Sequence, residues 1–268
     1  MIRLALLCAA LAAMLAAPAG AGDVRTGRFV VKGWGGPAIP VYYAEPSEPA
    51  GAPVVLVMHG VNRNADDYRD NWIEIVRARG FAVYAPEFSD RAFPGAVSYN
   101  LGGAESERRQ AFRALKPILE EVRRTRGADG PAVLFGHSAG AQFVHRWLLL
   151  RNDVEFDLLV AANAGWYTMP DFETPWPYGL KDAPAVDAAG LERALAAPLL
   201  VFLGDRDADP NASNLRKTRG RTASPADGPS TKRAGTRRTR AARPSAGPSA
   251  SCAASRTTTP PWRPPLRR

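Results

Sequence analysis

The chain predicts an α/β protein, a mostly parallel β-sheet with helices on both faces. Three observations predict it. Short continuous apolar runs alternate with stretches whose apolar residues recur at helical spacing. One such run, Ala132 to Phe135, enters a Gly-x-Ser-x-Gly turn, Gly136-His137-Ser138-Ala139-Gly140, and a helix-compatible stretch follows it. Near residue 215 the alternation stops and the composition changes, so the sheet is expected to be incomplete at its C-terminal end.

Met1 to Ala21 reads as a secretory signal, with Arg3 as its positive start, Leu4 to Ala17 as its apolar core and Ala19-Gly20-Ala21 as a small-residue cleavage site. That core is short for a membrane span, and Leu7 before Cys8 does not suit a lipid anchor, so no stable membrane anchor is expected after cleavage. Arg28 to Lys32 and Ile39 to Tyr43 alternate as an antiparallel hairpin, split by Gly33-Trp34-Gly35-Gly36-Pro37. Val54 to Met58 is a buried strand. Asn64 is an N-cap candidate, with Asp66 and Asp67 in the first turn where the helix dipole favours carboxylates. Tyr68, Trp72, Ile75 and Val76 then predict one apolar helical face, and Gly80 ends that helix.

Phe81 to Ala85 is the next strand, followed by a loop with Pro94, Gly95, Gly102 and Gly103. Phe112, Leu115, Leu119 and Val122 mark a helix that kinks or restarts near Pro117. The elbow strand and its helix, Ala141 to Leu150, come next. Then follow a strand from Phe156 to Ala161, a short helix around Leu191 to Ala196 and a strand from Leu199 to Leu203. Without a further strand, the last of these is expected to leave an open sheet edge. Between them, Gly165 to Leu180 carries Trp166, Tyr167, Phe172, Trp176 and Tyr178 with three prolines, which suggests either a semi-rigid flap whose Trp166 and Tyr167 line a substrate pocket or a simple cover for the sheet's end.

A strand, a sharp turn and a helix are the context in which Ser138 would be a nucleophile. Gly136 and Gly140 carry no Cβ, which lets the turn tighten and the helix pass close to its neighbours. The run Pro53 to Gly60 ends in His59-Gly60, and the backbone N–H groups of Val61 and Ala139 would together form an oxyanion hole. The strand Pro198 to Leu203 leads into Gly204-Asp205-Arg206-Asp207-Ala208-Asp209, where Asp207, with Asp209 second, is the candidate acid. A Ser–Asp–His order then needs a histidine after Asp207, and the chain has none. Of its three histidines, His145 lies roughly 10 Å along the helix axis from Ser138, His137 is the turn's own variable residue and His59 belongs to the oxyanion strand.

These residues carry a resemblance. Val57-Met58-His59-Gly60, Asn64-Ala65-Asp66-Asp67-Tyr68-Arg69, the elbow pentapeptide and Gly204-Asp205-Arg206-Asp207 together resemble the α/β-hydrolase superfamily. The branch is that of secreted esterases and of proteins similar to dienelactone hydrolases and polyhydroxybutyrate depolymerases. The resemblance spans roughly residues 28–215. It implies Ser138 as nucleophile, Asp207 as acid, and Val61 and Ala139 as oxyanion donors. The implied chemistry is acyl transfer from carboxylic esters, small or oligomeric, with no metal or organic cofactor. The lost histidine is the departure, and it implies impaired turnover or a catalytically inactive hydrolase-fold protein.

The net charge of +9 conceals an uneven distribution. Residues 211–268 hold fourteen Lys and Arg against one acid, Asp227, and lack Val, Ile, Phe, Tyr and Met, so what precedes them is mildly acidic. Such a tail cannot bury a face, and disorder is its expected state over 216–268. A shift of reading frame in a GC-rich gene, beginning between Leu215 and Arg221, would account for its Arg, Pro, Ala and Gly. A genuine basic tail or a plain linker are the alternatives. Nucleic acid is an unexpected partner, since the tail has a single aromatic, Trp262, and the chain an export signal. Beyond the signal only Cys252 remains, which excludes an intramolecular disulfide and fits a bacterial periplasmic or secreted protein of one domain over 22–215.

Overall fold

Two strands open the computed structural model, which describes residues 22–103, 110–184 and 186–204. Strands β1 (Val24–Val31) and β2 (Ile39–Pro46) form the expected antiparallel hairpin, with Val31 opposite Ile39. Strand β3 (Val54–Met58) is buried throughout. Its Val54, Leu56 and Met58 join one core cluster and its Val55 and Val57 another, as a strand covered on both faces requires. Strands β4 (Ala82–Pro86), β5 (Ala132–His137), β6 (Leu158–Ala162) and β7 (Leu199–Phe202) complete one seven-stranded sheet. Its order is β1-β2-β4-β3-β5-β6-β7, parallel from β4 to β7.

Between Asn64 and Gly80 the structure departs from the expected single helix. Helix α1 (Ala65–Asp70) and helix α2 (Ile73–Arg79) are separated at Asn71 and Trp72. The break resets the rotation of the chain, so Ile73 packs beside Tyr68, Trp72 and Val76 while Ile75 is exposed. Asn64 does not cap through its side chain; its Nδ2 donates to Asp67 Oδ2 at 2.8 Å. Gly80 ends α2 in the left-handed region at φ 67°, as expected, and its N–H closes on the Val76 carbonyl.

Helix α3 (Gly95–Ser98) is one short turn. A 3₁₀ turn at Ala111–Ala114 leads into helix α4 (Leu115–Arg126), so Pro117 falls in the first turn of α4, where its missing N–H has no intrahelical partner to lose. The helix restarts there and does not kink. Helix α5 (Ala139–Leu150) follows β5 after Ser138 alone, and helix α6 (Ala188–Leu195) precedes β7. Helices α4 and α5 contribute Leu115, Ile118, Phe143, Val144 and Trp147 to the larger core cluster, while α1 and α2 cover the opposite face.

The sheet places the candidate site by register. Met58 pairs with Gly136, His137 with Ala162, and Ala162 with Phe202. Strands β3, β5, β6 and β7 therefore release Gly60, Ser138, Asn163 and Gly204 at one end of the sheet, the end where open α/β sheets bind ligands. Among the described residues β7 is the edge strand, with Leu200 and Phe202 exposed. The signal segment and the basic tail lie outside the described residues.

Candidate active site

Ser138 sits at φ 57°, ψ −116°, a conformation that L-residues rarely adopt, as the single residue between β5 and α5. Its N–H donates to the Ala162 carbonyl at 3.0 Å and its carbonyl accepts from Gln142 N at 3.1 Å, so backbone bonds hold the turn and leave the hydroxyl out of helix capping. The flanking glycines explain how the turn closes. A Cβ on Gly136 would lie 2.2 Å from the Gly140 carbonyl oxygen, and one on Gly140 would lie 2.1 Å from the Met58 oxygen. The first contact is the turn folding on itself; the second is α5 running against β3.

The loop after β3 lies beside this turn, since a Cβ on Gly60 would be 3.9 Å from Ser138 Cβ. Neither the Val61 nor the Ala139 amide has an acceptor among the described residues. Val61 itself is 73% exposed, whereas Ala139 is buried. Arg63, which sequence reading passes over, holds this loop. At φ 59° it turns the chain back, and its guanidinium donates to the carbonyls of Phe88 at 2.6 Å, Phe93 at 3.2 Å and Gly95 at 2.9 Å. It also lies 4.3 Å from the Tyr99 ring centroid. Burial lowers its pKa, but it stays charged. No local pattern marks Arg63, because its acceptors lie 25 to 32 residues away.

Each histidine has a visible occupation. His59 is fully buried; Phe88 N–H donates to its Nε2 at 3.0 Å, which leaves Nδ1 to carry the proton donated to the Gly60 carbonyl, also at 3.0 Å. His145 repeats the arrangement, accepting from Thr168 N–H at 3.0 Å on Nε2 and donating to the Ala141 carbonyl at 2.8 Å. Burial lowers the pKa of His59 to about 4 and of His145 to about 3, with Arg63 and Arg146 adding to the respective shifts. Both rings are neutral, with both nitrogens committed. His137 is exposed, and its Nδ1 is 3.0 Å from the Tyr68 hydroxyl. That hydroxyl also borders Gly60, within 2.7 Å of where a Cβ would be. Sequence periodicity places Tyr68 on a buried face but does not reveal its polar end beside the elbow.

Asn163, at φ 49°, ties the ends of β6 and β7 together. Its N–H donates to the Phe202 carbonyl at 2.9 Å, and its Oδ1 accepts from Gly204 N–H at 2.7 Å. Gly204 thus lies two strands from Ser138, roughly 10 Å across the sheet. Asp207 and Asp209 lie beyond it, outside the described residues.

The aromatic loop divides. Tyr167 is buried, packs at 5.2 Å on the His145 ring, and lines a small apolar cavity with Leu148, Met169, Leu199 and Val201, a lining that excludes Ser138. Trp166 is half-buried and lies over Arg146, with its ring centroid 5.6 Å from the guanidinium carbon. Beneath it runs a buried polar chain along α5. Asn100 Nδ2 donates to Gln142 Oε1 at 2.8 Å, Arg146 Nη1 donates to the same oxygen at 3.0 Å, and Arg146 Nε donates to Thr168 Oγ1 at 2.9 Å. Burial lowers the Arg146 pKa to about 9, so it too is charged at neutral pH. Among the described residues no group of three His, Cys, Asp or Glu side chains is placed to hold a metal ion.

Protein-family models and curated proteins give no match to the sequence. Solved structures do. The chain is 40% identical to poly(aspartic acid) hydrolase-1 from Sphingomonas sp. KT-1, with a TM-score of 0.66, covering 73% of this chain and 76% of that one. It is 33% identical to the poly(3-hydroxybutyrate) depolymerase LpqC from Bordetella parapertussis, again with a TM-score of 0.66, covering 78% of this chain and 77% of that one.

Proposed function

The chain belongs to the esterase-like branch of the α/β-hydrolase superfamily, and on that premise we propose that it is a serine hydrolase of carboxylic esters in which Ser138 forms the acyl-enzyme. The observation that carries this reading is the backbone of Ser138, held at φ 57°, ψ −116° between a strand and a helix whose two glycines admit no side chain. Ser138 Oγ attacks the ester carbonyl, and the Val61 and Ala139 amides take the negative charge of the tetrahedral intermediate. Asp207, which follows Gly204 in the sequence, is the acid in this reading. Trp166 borders the pocket. The substrate is a small or oligomeric ester, a class to which the name of the similar poly(3-hydroxybutyrate) depolymerase lends support, whereas the poly(aspartic acid) of the other similar enzyme's name is a polyamide.

Proton transfer is the weak point of this chain, in acylation and deacylation alike. Two of its histidines are buried, neutral and bonded at both nitrogens, and the third is the exposed residue before Ser138. Without a general base, Ser138 is a weak nucleophile that reacts slowly even with activated reagents and turns esters over more slowly still, since in one well-studied protease losing the base costs about six orders of magnitude in kcat. We place the protein in the periplasm or outside the cell, on the strength of Met1 to Ala21; among the described residues no helix is long and apolar enough to cross a membrane.

A fluorophosphonate probe with peptide mapping tests the nucleophile, and p-nitrophenyl butyrate tests turnover. The expected result is a single, slowly formed adduct on Ser138, abolished by Ser138→Ala, with near-background ester hydrolysis. Modification only elsewhere, or none after prolonged exposure to excess probe, would remove Ser138 as nucleophile. Rapid hydrolysis lost in Ser138→Ala would instead require a base that the three histidines do not provide.

A further inference from the structure

We propose that Arg146, together with the indole N–H of Trp166, binds a carboxylate carried by the substrate, so that the site selects acid-bearing chains over neutral ones. The proposal rests on Ser138 as the reacting residue. Helix α5 carries Gln142 one turn and Arg146 two turns beyond Ser138, roughly 12 Å along the axis, a span that a short acyl chain or a few repeat units can cover.

The guanidinium is fully buried, yet its acceptors are all neutral: Thr168 Oγ1, Gln142 Oε1 and, at 3.1 Å, the Asn100 carbonyl. No carboxylate among the described residues pairs with it, and its Nη2 has no acceptor there. Arg63, 11% exposed, likewise lies on neutral carbonyls but keeps Asp90 at 3.6 Å, and the buried carboxylate of Glu45 is fully paired. Glu45, also fully buried, is met by Arg126, by Arg25 at 3.1 Å and by the Tyr84 hydroxyl at 2.9 Å. A buried cation without an anion is costly, and a structural brace between Asn100 and Thr168 does not require one.

A second orphan stands beside the first. Trp166 Nε1 is buried without an acceptor among the described residues, and its ring lies 5.6 Å from the guanidinium carbon. A fixed positive charge and two N–H donors without acceptors, on neighbouring side chains, match an oxygen anion, and the guanidinium fork matches a carboxylate in particular. Trp166 and Trp176, whose rings lie 5.6 and 5.9 Å from the guanidinium carbon, are both half-buried, so side chains rather than strands of the sheet separate this charge from solvent.

Equilibrium binding tests the proposal without turnover. Monomethyl succinate, which carries one ester and one carboxylate, and the neutral dimethyl succinate are titrated into the full chain by calorimetry. Monomethyl succinate is expected to bind at least about tenfold more tightly. Trp166→Phe, which keeps the ring and removes the N–H, should reduce that preference about fivefold, and Arg146→Lys should abolish most of it while the melt stays cooperative. If Arg146→Lys does not fold, Trp166→Phe carries the test alone. Equal affinity for the two esters, or a preference that Trp166→Phe leaves intact, overturns the proposal. Fluorophosphonate labelling of Ser138 is independent of these titrations: labelling without the preference sinks the Arg146 site alone, and the preference without labelling sinks the nucleophile alone.

Discussion

Gly140→Ala adds one methyl group, and the structure says where it goes. The new Cβ would lie 2.1 Å from the Met58 carbonyl oxygen, 2.6 Å from its carbon and 2.9 Å from the His59 oxygen. All three atoms belong to the backbone at and just beyond the end of a central strand, so none can rotate aside. Restoring an ordinary contact near 3.4 Å needs a relative movement of about 1.3 Å between α5 and β3. Overpacking of this kind costs about 3 kcal/mol, and the better helix propensity of alanine returns less than 1 kcal/mol, leaving about 2 kcal/mol or more. For a domain of this size that lowers Tm by roughly 5–10 °C. The same movement shifts Ala139 relative to Val61, so fluorophosphonate labelling of Ser138 should slow as well. Gly165→Ala is the matched control, since its Cβ would meet only the Gln142 Nε2 end of a flexible side chain at 3.1 Å. Thermal melts by circular dichroism with labelling kinetics decide the matter. A Gly140→Ala protein as stable and as reactive as the parent would refute the close-packing explanation of the elbow.

Arg63→Ala removes the donor to the carbonyls of Phe88, Phe93 and Gly95, and should cost about 3 kcal/mol in urea unfolding and slow Ser138 labelling at least about tenfold; labelling at the parental rate would mean that Arg63 does not hold the Val61 loop. His59 and His145 have folded pKa values of about 4 and about 3, below the ordinary 6.5, so the unfolded chain binds protons that the folded one refuses. Their contribution is complete above pH 6.5 and is lost as pH falls toward 4, at roughly 1 kcal/mol per pH unit for each ring; urea midpoints that stay level between pH 7 and pH 5 would contradict it. In the gene, another reading frame past the codon for about Leu215 should restore an amphipathic helix, an apolar strand and a Gly-rich turn bearing a histidine. Stop codons within a few residues in both other frames would end that idea.

Residue order alone determined much of this protein. The apolar runs at Val54 to Met58, Ala132 to Phe135 and Leu199 to Leu203 became strands because a strand buried on both faces is written as a continuous local run. The elbow was legible because its glycines and serine act over five residues. The shortage of histidine is a count. What tertiary structure decided lies at longer range. A single helical pattern from Asn64 to Gly80 broke at Trp72, and the break, not the periodicity, chose Ile73 over Ile75 for the core. His59 and His145 could not be excluded as proton carriers by identity; the amides that commit them belong to Phe88 and Thr168, 29 and 23 residues away. Arg146 reads as one more basic residue in an apolar helix until the fold buries it among neutral acceptors and two tryptophans. Local patterning settles which backbone forms, because propensity and periodicity act between near neighbours. Which polar atom meets which partner depends on elements brought together by the sheet, and no window of sequence contains both.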